Sequence, residues 1–175
     1  VRDRIATRLI ELLLRELFEF GVMQSDPNFA NYRYDPATGR VVLLDFGATR
    51  ALADDTVAAY RRLMAAGLAG DNAGLEAAAE EMGLLQPGIA PAHRAQIRAM
   101  MSDAVATLLK PGVYDFAASD LPRRMQEDGM KLAEDGFVPP PVPMDVLYLQ
   151  RKFGGIFLLA ARLGARVQLR ALLEK

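Results

Sequence analysis

Cysteine and tryptophan are absent from this 175-residue chain, and its one histidine is His93. Without cysteine there can be no disulfide and no thiolate metal site, and a lone histidine removes the imidazole sets that zinc ordinarily uses. The missing thiols fit a reducing compartment, and the opening residues do not read as a cleavable leader. The expectation is therefore a cytoplasmic protein, at most peripheral to a membrane. An excess of either charge is also missing: 21 Lys and Arg stand against 22 Asp and Glu, for a net charge of −1. Such a balance supplies no long-range field to gather nucleic acid, so no nucleic-acid partner is expected. Long apolar runs are lacking too. A membrane span takes about 20 apolar residues, and the best candidate, Phe153 to Ala161, is closed off by Arg151, Lys152 and Arg162.

What is present suffices for one domain. A chain of this length buries about 70% of the surface that its unfolded form exposes, enough for a hydrophobic core of its own. We expect a single domain over residues 1–175, with a site-bearing subregion at 1–50 and a helical remainder at 51–175. The chain opens at Val1, without methionine, inside what already reads as a helix. It is expected to be a piece of a longer protein.

From Arg2 to Phe20, the apolar residues Ile5, Leu9, Ile10, Leu13, Leu14, Leu17 and Phe18 recur at three-four spacing, one face of a helix that Gly21 ends. Tyr32 to Tyr34 and Val41 to Leu44, separated by Asp35-Pro36-Ala37-Thr38-Gly39, predict a hairpin, the one sheet the chain announces. Beyond Arg50 the chain reads as Ala-rich and Leu-rich helices. Asp54 or Asp55 opens one, Asp71 caps the next with Gly83 at its end, and Pro91 starts a third that Pro111-Gly112 stops. Another is predicted from about Ser119 to Glu134. The run Val138-Pro139-Pro140-Pro141-Val142-Pro143 reads as a rigid extended strap, and a last helical stretch from Val146 to Leu172 breaks near Gly164. The fold class is mostly α with one small β-hairpin.

The candidate chemistry surrounds that hairpin. Asp26 stands five positions before Asn31, and Asp45, opening Asp45-Phe46-Gly47, stands fourteen after it. Singly, each has a bland reading, as a turn opener before Pro27, a loop cap, or a chance triplet. Together, the order, the spacing and an apolar strand ahead of Asp45, expected to be buried, are what phosphoryl transfer asks for. One Asp meets the acceptor hydroxyl, while an Asn and a second Asp hold Mg²⁺ against nucleotide phosphates. Mg²⁺ takes hard oxygen ligands and keeps several waters, so one carboxylate and one amide oxygen suffice when phosphates complete the shell. Gly47 fits a sharp backbone turn beside such a site, where a side chain would crowd the phosphates.

Gln24-Ser25-Asp26-Pro27-Asn28-Phe29-Ala30-Asn31-Tyr32, followed by Val42-Leu43-Leu44-Asp45-Phe46-Gly47-Ala48-Thr49-Arg50, resembles the UbiB or AarF-type atypical kinases, the kinase-like proteins tied to ubiquinone biosynthesis. Arg151 to Leu159 and the helices before them look like that family's carboxy-terminal extension, so the resemblance covers nearly the whole chain. It implies the carboxy-terminal lobe of a protein-kinase-like fold plus a helical extension. It further implies Asp26 as the catalytic-loop aspartate, Asn31 and Asp45 as metal ligands, and Asn31, Asp45 and Gly47 as the ATP- or ADP-binding set with Mg²⁺. Gln24 and Ser25 stand where a typical protein kinase has His and Arg, so control by a phosphorylated activation loop is not expected. Only Ala51 to Ala53 separate Arg50 from the next helix cap, which leaves no peptide platform. ATP hydrolysis or small-molecule, lipid-linked work is favoured over protein phosphorylation.

The partner that this resemblance calls for is an amino-terminal lobe, because no phosphate loop or strand lysine is found here. Lys110, Lys131, Lys152 and Lys175 all fall in helices or at helix ends. The isolated chain is expected to be inactive. Two rival readings are a small-molecule phosphotransferase of the aminoglycoside-kinase type, which shares the Asp-to-Asn spacing, and a silent helical interaction module. Met100, Met101, Met125 and Met130 read as core filler. Gly154-Gly155 allows close approach of a neighbouring helix, and the surface around Ile156 to Leu159 is a candidate for contact with a lipid or hydrophobic small molecule, against the plainer reading of internal packing. His93 is expected at the surface.

Overall fold

The computed structural model describes residues 1–174. These fall into two compact units. The first comprises Val1–Val57, Val113–Ala118 and Met144–Val167, and the second comprises Ala58–Gly112, Ser119–Pro143 and Gln168 onward. Two later segments return to the unit that holds the candidate site.

In the first unit, α1 (Arg2–Arg15) carries the predicted apolar face inward: Ala6, Leu9, Ile10 and Leu13 are buried. It continues as a π-helical turn, Glu16–Phe20, and ends at Gly21, whose φ of 61° is the left-handed region that glycine tolerates. Strand β1 (Val22–Gln24) follows, then a 3₁₀ turn (Phe29–Asn31), β2 (Tyr32–Asp35), β3 (Arg40–Leu43) and β4 (Thr49–Ala51). The sequence announces only the hairpin of β2 with β3, registered Tyr32 to Leu43 and Asp35 to Arg40. A second antiparallel ribbon joins β1 to β4, with Gln24 opposite Thr49. Strands of three residues are too short to show an alternating pattern, which is why they escape the sequence.

Helix α2 (Asp54–Ala69) starts after β4, with Asp54 and Asp55 in its first turn. It is followed by α3 (Asn72–Glu81), α4 (Pro91–Leu108), β5 (Tyr114–Asp115), α5 (Leu121–Glu134), α6 (Met144–Leu163), β6 (Arg166–Val167) and α7 (Leu169–Leu173). β5 and β6 form a third ribbon in the first unit, beside edge-on rings of Tyr114, Phe116 and Phe157. α6 packs on α1. Val146, Leu149, Ile156 and Ala160 are all at most 4% exposed, facing Leu9, Leu13 and Leu17 at no more than 3%. Each leucine so buried contributes about 1.5–3 kcal/mol, and this two-helix layer is the bed on which the site loops rest.

The second unit is helical. Asp71 caps α3 by accepting from the Gly74 N–H at 3.0 Å, and Gly83 follows with φ 74°, both as the sequence predicts. Pro91 opens α4, Pro122 sits in the first turn of α5, and residues 138–143 form neither helix nor strand. His93 is half-buried, edge-on to Phe137 at 5.4 Å, where the sequence suggests a surface position. Among the four methionines read as filler, Met130 is 55% exposed.

Candidate active site

Asp26, Asn31, Asp45 and Gly47 all lie in the first unit. β1 delivers the chain to Ser25, which is buried and doubly tied: its N–H and its Oγ both donate to the Ala48 carbonyl, at 2.9 and 2.8 Å. The stretch before Asp26 is thereby fastened to the turn that follows Asp45. Local capping falls to Asn28, whose Oδ1 accepts from the Ala30 N–H at 3.0 Å. Asn31 is thus free of the capping role that competes for an asparagine in such a loop.

Asn31 instead joins the two halves of the site. Its Nδ2 donates to Asp26 Oδ2 at 3.0 Å, and its carbonyl accepts from the Leu44 N–H at 2.9 Å, one residue before Asp45. With the amide nitrogen committed to Asp26, the Asn31 Oδ1 is the atom left to accept or to ligate. Asp45 is exposed, and its Oδ1 accepts from the Gly47 N–H at 2.7 Å. No hydrogen bond links the Asp45 carboxylate to Asp26 or Asn31 among the described residues. The structure therefore brings Asp26 and Asn31 into contact and holds Asp45 next to them through the backbone.

The φ of Gly47 is not in the left-handed region, so the turn by itself does not call for glycine. A Cβ there would stand 3.1 Å from Asp45 Oδ1, so that exposed carboxylate would have to shift by a few tenths of an ångström. The apolar approach to Asp45 also differs from expectation. Val42, Leu44 and Phe46 are 43, 52 and 62% exposed, because β3 pairs only with β2 in a two-stranded ribbon, with one face open.

Helix α6 backs the loop. Gly155 faces Pro27 so closely that a Cβ on it would lie 2.4 Å from the Pro27 Cβ. The close approach that Gly154-Gly155 suggested is thus to the loop bearing Asp26, not to a helix. Arg151 reaches Asp26 Oδ1 at 3.9 Å from an exposed position, a pairing of about 0–1 kcal/mol. Burial, with the charges of Glu16 and Asp26 added, pushes the Tyr32 phenol up to about 12.

Two residues beside the site escape a reading by motif. Glu16 and Lys152 are 5 and 2% exposed and ion-paired, and the Lys152 Nζ also donates to the Gln24 carbonyl at 2.6 Å. Burial pushes the Lys152 ammonium below its ordinary pKa, against the hydrogen bond and charge of Glu16, which raise it. Both stand on the apolar faces of their helices, Glu16 three residues after Leu13 and Lys152 three after Leu149. That misplacement of charge was the signal available.

This is a mostly helical, kinase-like fold with small antiparallel strand pairs. Against solved structures, it matches one described as the complex of Rv3197 with erythromycin from Mycobacterium tuberculosis, at TM-score 0.67 and 21% identity, over 99% of this chain and 43% of that one. Residues 1–79 match the family model described as the ABC1 atypical kinase-like domain. It is 34% identical to the mitochondrial atypical kinase COQ8B of Rattus norvegicus over 99% of its length, and 33% identical to the mitochondrial atypical kinase COQ8 of Saccharomyces cerevisiae over 95%. The chain spans about a third of the length of each, 33% in both cases. The resemblance to UbiB-type atypical kinases thus extends over nearly the whole chain. Those relatives are named as mitochondrial, where the sequence suggests a cytoplasmic setting. Among the described residues, no helix is long and apolar enough to cross a membrane.

Proposed function

We propose that this chain is the Mg²⁺-binding half of a nucleotide site in an atypical kinase or ATPase acting in quinone or isoprenoid lipid metabolism. The observation that carries the reading is the placement of Asn31. Its nitrogen orients Asp26, its carbonyl anchors the strand leading to Asp45, and its Oδ1 is left unengaged. Asn31 Oδ1 and the free oxygen of Asp45 are hard donors of the kind Mg²⁺ selects, so the residues present fit that ion. When bound, Mg²⁺ would neutralise charge on the phosphates of ATP or ADP.

The chain's own residues do the rest. Asp26, fixed through Oδ2 and 39% exposed on its side chain, keeps Oδ1 available to accept a hydrogen bond from an attacking hydroxyl or water. Gly47 keeps the space beside Asp45 clear. β4 runs into α2 within residues 51–54, too short a span for a peptide platform, which favours a small hydroxyl-bearing molecule or water as acceptor. An amino-terminal lobe carrying the phosphate-contacting lysine is the partner this reading requires, and the 175 residues alone should turn over little or no nucleotide. A quinone precursor or another isoprenoid lipid is the acceptor class that suits the COQ8 likeness.

The test is equilibrium binding of a fluorescent ATP analogue to the full-length protein with and without Mg²⁺. Asp45→Asn and Asn31→Ala should each weaken the Mg²⁺-dependent component at least tenfold. Unchanged affinity in Asp45→Asn defeats the ligand assignment.

A further inference from the structure

We propose that Glu16 and Lys152 are positioning residues: as a buried ion pair, they grip the backbone of Gln24 from both sides and thereby set where Asp26 lies relative to Asp45. The proposal rests on the reading of Asp26 and Asp45 as the working carboxylates. The Gln24 carbonyl accepts from Lys152 Nζ at 2.6 Å, while the Gln24 N–H is directed to Glu16 Oε1 at 3.3 Å. One peptide step on, Ser25 is fastened twice to the Ala48 carbonyl. Two residues further, Pro27 meets Gly155, one turn along α6 from Lys152. Residues 24–27 are therefore held by the π-helical turn that continues α1, by α6 and by the turn after Asp45 at once.

Stability alone does not account for this pair. Well-packed apolar residues commonly replace a buried ion pair with no loss of stability, because two charges must be stripped of water to form it. Apolar side chains could not, however, satisfy the N–H and C=O of Gln24, which are buried at the end of a three-residue strand. A charged donor on the carbonyl makes roughly twice as strong a bond as a neutral one. Displacement of a reacting group by about 1 Å costs on the order of 100-fold in rate, so a stiff anchor two residues from Asp26 has a use there. The charges also lie on helices from opposite ends of the sequence, which couples α6 to the loop.

The experiment uses full-length protein carrying Glu16→Leu with Lys152→Met, an apolar pair expected to fold. Three quantities are compared with wild type: amide exchange by mass spectrometry, Mg²⁺-dependent binding of the ATP analogue, and nucleotide turnover. The clamp predicts at least tenfold faster exchange confined to residues 24–31, affinity within threefold, and turnover reduced at least tenfold. Exchange over 24–31 at the wild-type rate in a folded double variant overturns it, as does turnover at the wild-type rate. If wild type shows no Mg²⁺-dependent binding, the proposed function fails while the exchange result still decides the clamp. Should the apolar pair not fold, Lys152→Arg is compared in the same way. A local change at 24–31 supports the clamp, and loss spread evenly through α1 and α6 refutes it.

Discussion

Gly154 and Gly155 are adjacent in α6, yet alanine at the two positions should act in opposite directions. Replacing a glycine inside a helix by alanine gains about 0.5–1 kcal/mol, chiefly because the unfolded chain has fewer states to lose. At Gly154 nothing lies within 4 Å of the added Cβ, so the gain should appear undiminished. At Gly155 the Cβ would meet Pro27 Cβ at 2.4 Å and Cγ at 2.7 Å, where carbon atoms ordinarily rest about 3.5–4.0 Å apart. Pro27 cannot rotate aside, since its ring is closed on the backbone. The loop or the helix must therefore yield by more than about 1 Å, and overpacking of this kind costs about 1–3 kcal/mol. The propensity gain is common to both variants and cancels in their difference, which leaves that 1–3 kcal/mol as the separation. For a protein of this size each kcal/mol moves Tm by about 2–4 °C, so Gly155→Ala should melt about 2–12 °C below Gly154→Ala. Paired thermal melts at one scan rate measure this. Equal melting temperatures would show that Pro27 does not press on α6, and the packing of the Asp26 loop against that helix would be wrong.

Three further outcomes can be checked alongside. Lys152→Met should cost about 3–5 kcal/mol, because the Glu16 carboxylate stays buried without its cation, whereas adding Glu16→Leu should recover only part of that loss, because the Gln24 N–H and C=O stay buried without these partners at about 1–3 kcal/mol each. Urea titration of the four proteins closes that cycle. Tyr32 ionises at about 12 in the folded chain, mainly because it is buried, against about 10 when unfolded. Its contribution to stability is thus complete below pH 10 and lost between pH 10 and 12. Tyr32→Phe should flatten the alkaline fall in the urea midpoint, and Asp26→Asn should lower the Tyr32 pKa as read by absorbance at 295 nm. Asp71→Ala should destabilise by about 1 kcal/mol through loss of the cap on Gly74, with Asp71→Asn within a few tenths of wild type in the same titration.

The helices were legible because their signals are local and repeated. The apolar stripe of α1, the Asp71 cap and the first-turn prolines of α4 and α5 each act within one or two turns. The hairpin was legible for the same reason, since Asp35 to Gly39 turns the chain between two β-prone runs. The ribbons of β1 with β4 and of β5 with β6 were not, because their partners are distant in sequence and each strand holds two or three residues. At the candidate site, spacing singled out Asp26, Asn31 and Asp45 as candidates. It could not show that Asn31 bonds directly to Asp26 while Asp45 is held only through the backbone, because that depends on which loop amides are already paired. Gly47 illustrates the limit: spacing marks it as a candidate, but only the structure shows that its φ is not left-handed and that a Cβ would stand 3.1 Å from the Asp45 carboxylate.

Glu16 and Lys152 show what a reading by motif leaves behind. Of 21 cationic and 22 anionic side chains, these two alone are fully buried among the described residues. Each occupies a core-facing slot of an otherwise apolar helical stripe. Either charge alone in such a slot would be paid for in lost solvation, so one such residue on one stripe implies an opposite charge on another. The inference needs only helical periodicity and charge, and it links segments more than 130 positions apart. Those two signals suffice to set α6 against the end of α1, and therefore beside the loop that begins at Ser25. The same logic explains how the proposed chemistry can sit on irregular backbone. Loops supply the oxygen atoms, and rigidity comes from two long helices that reach in from behind and take hold of a single peptide unit.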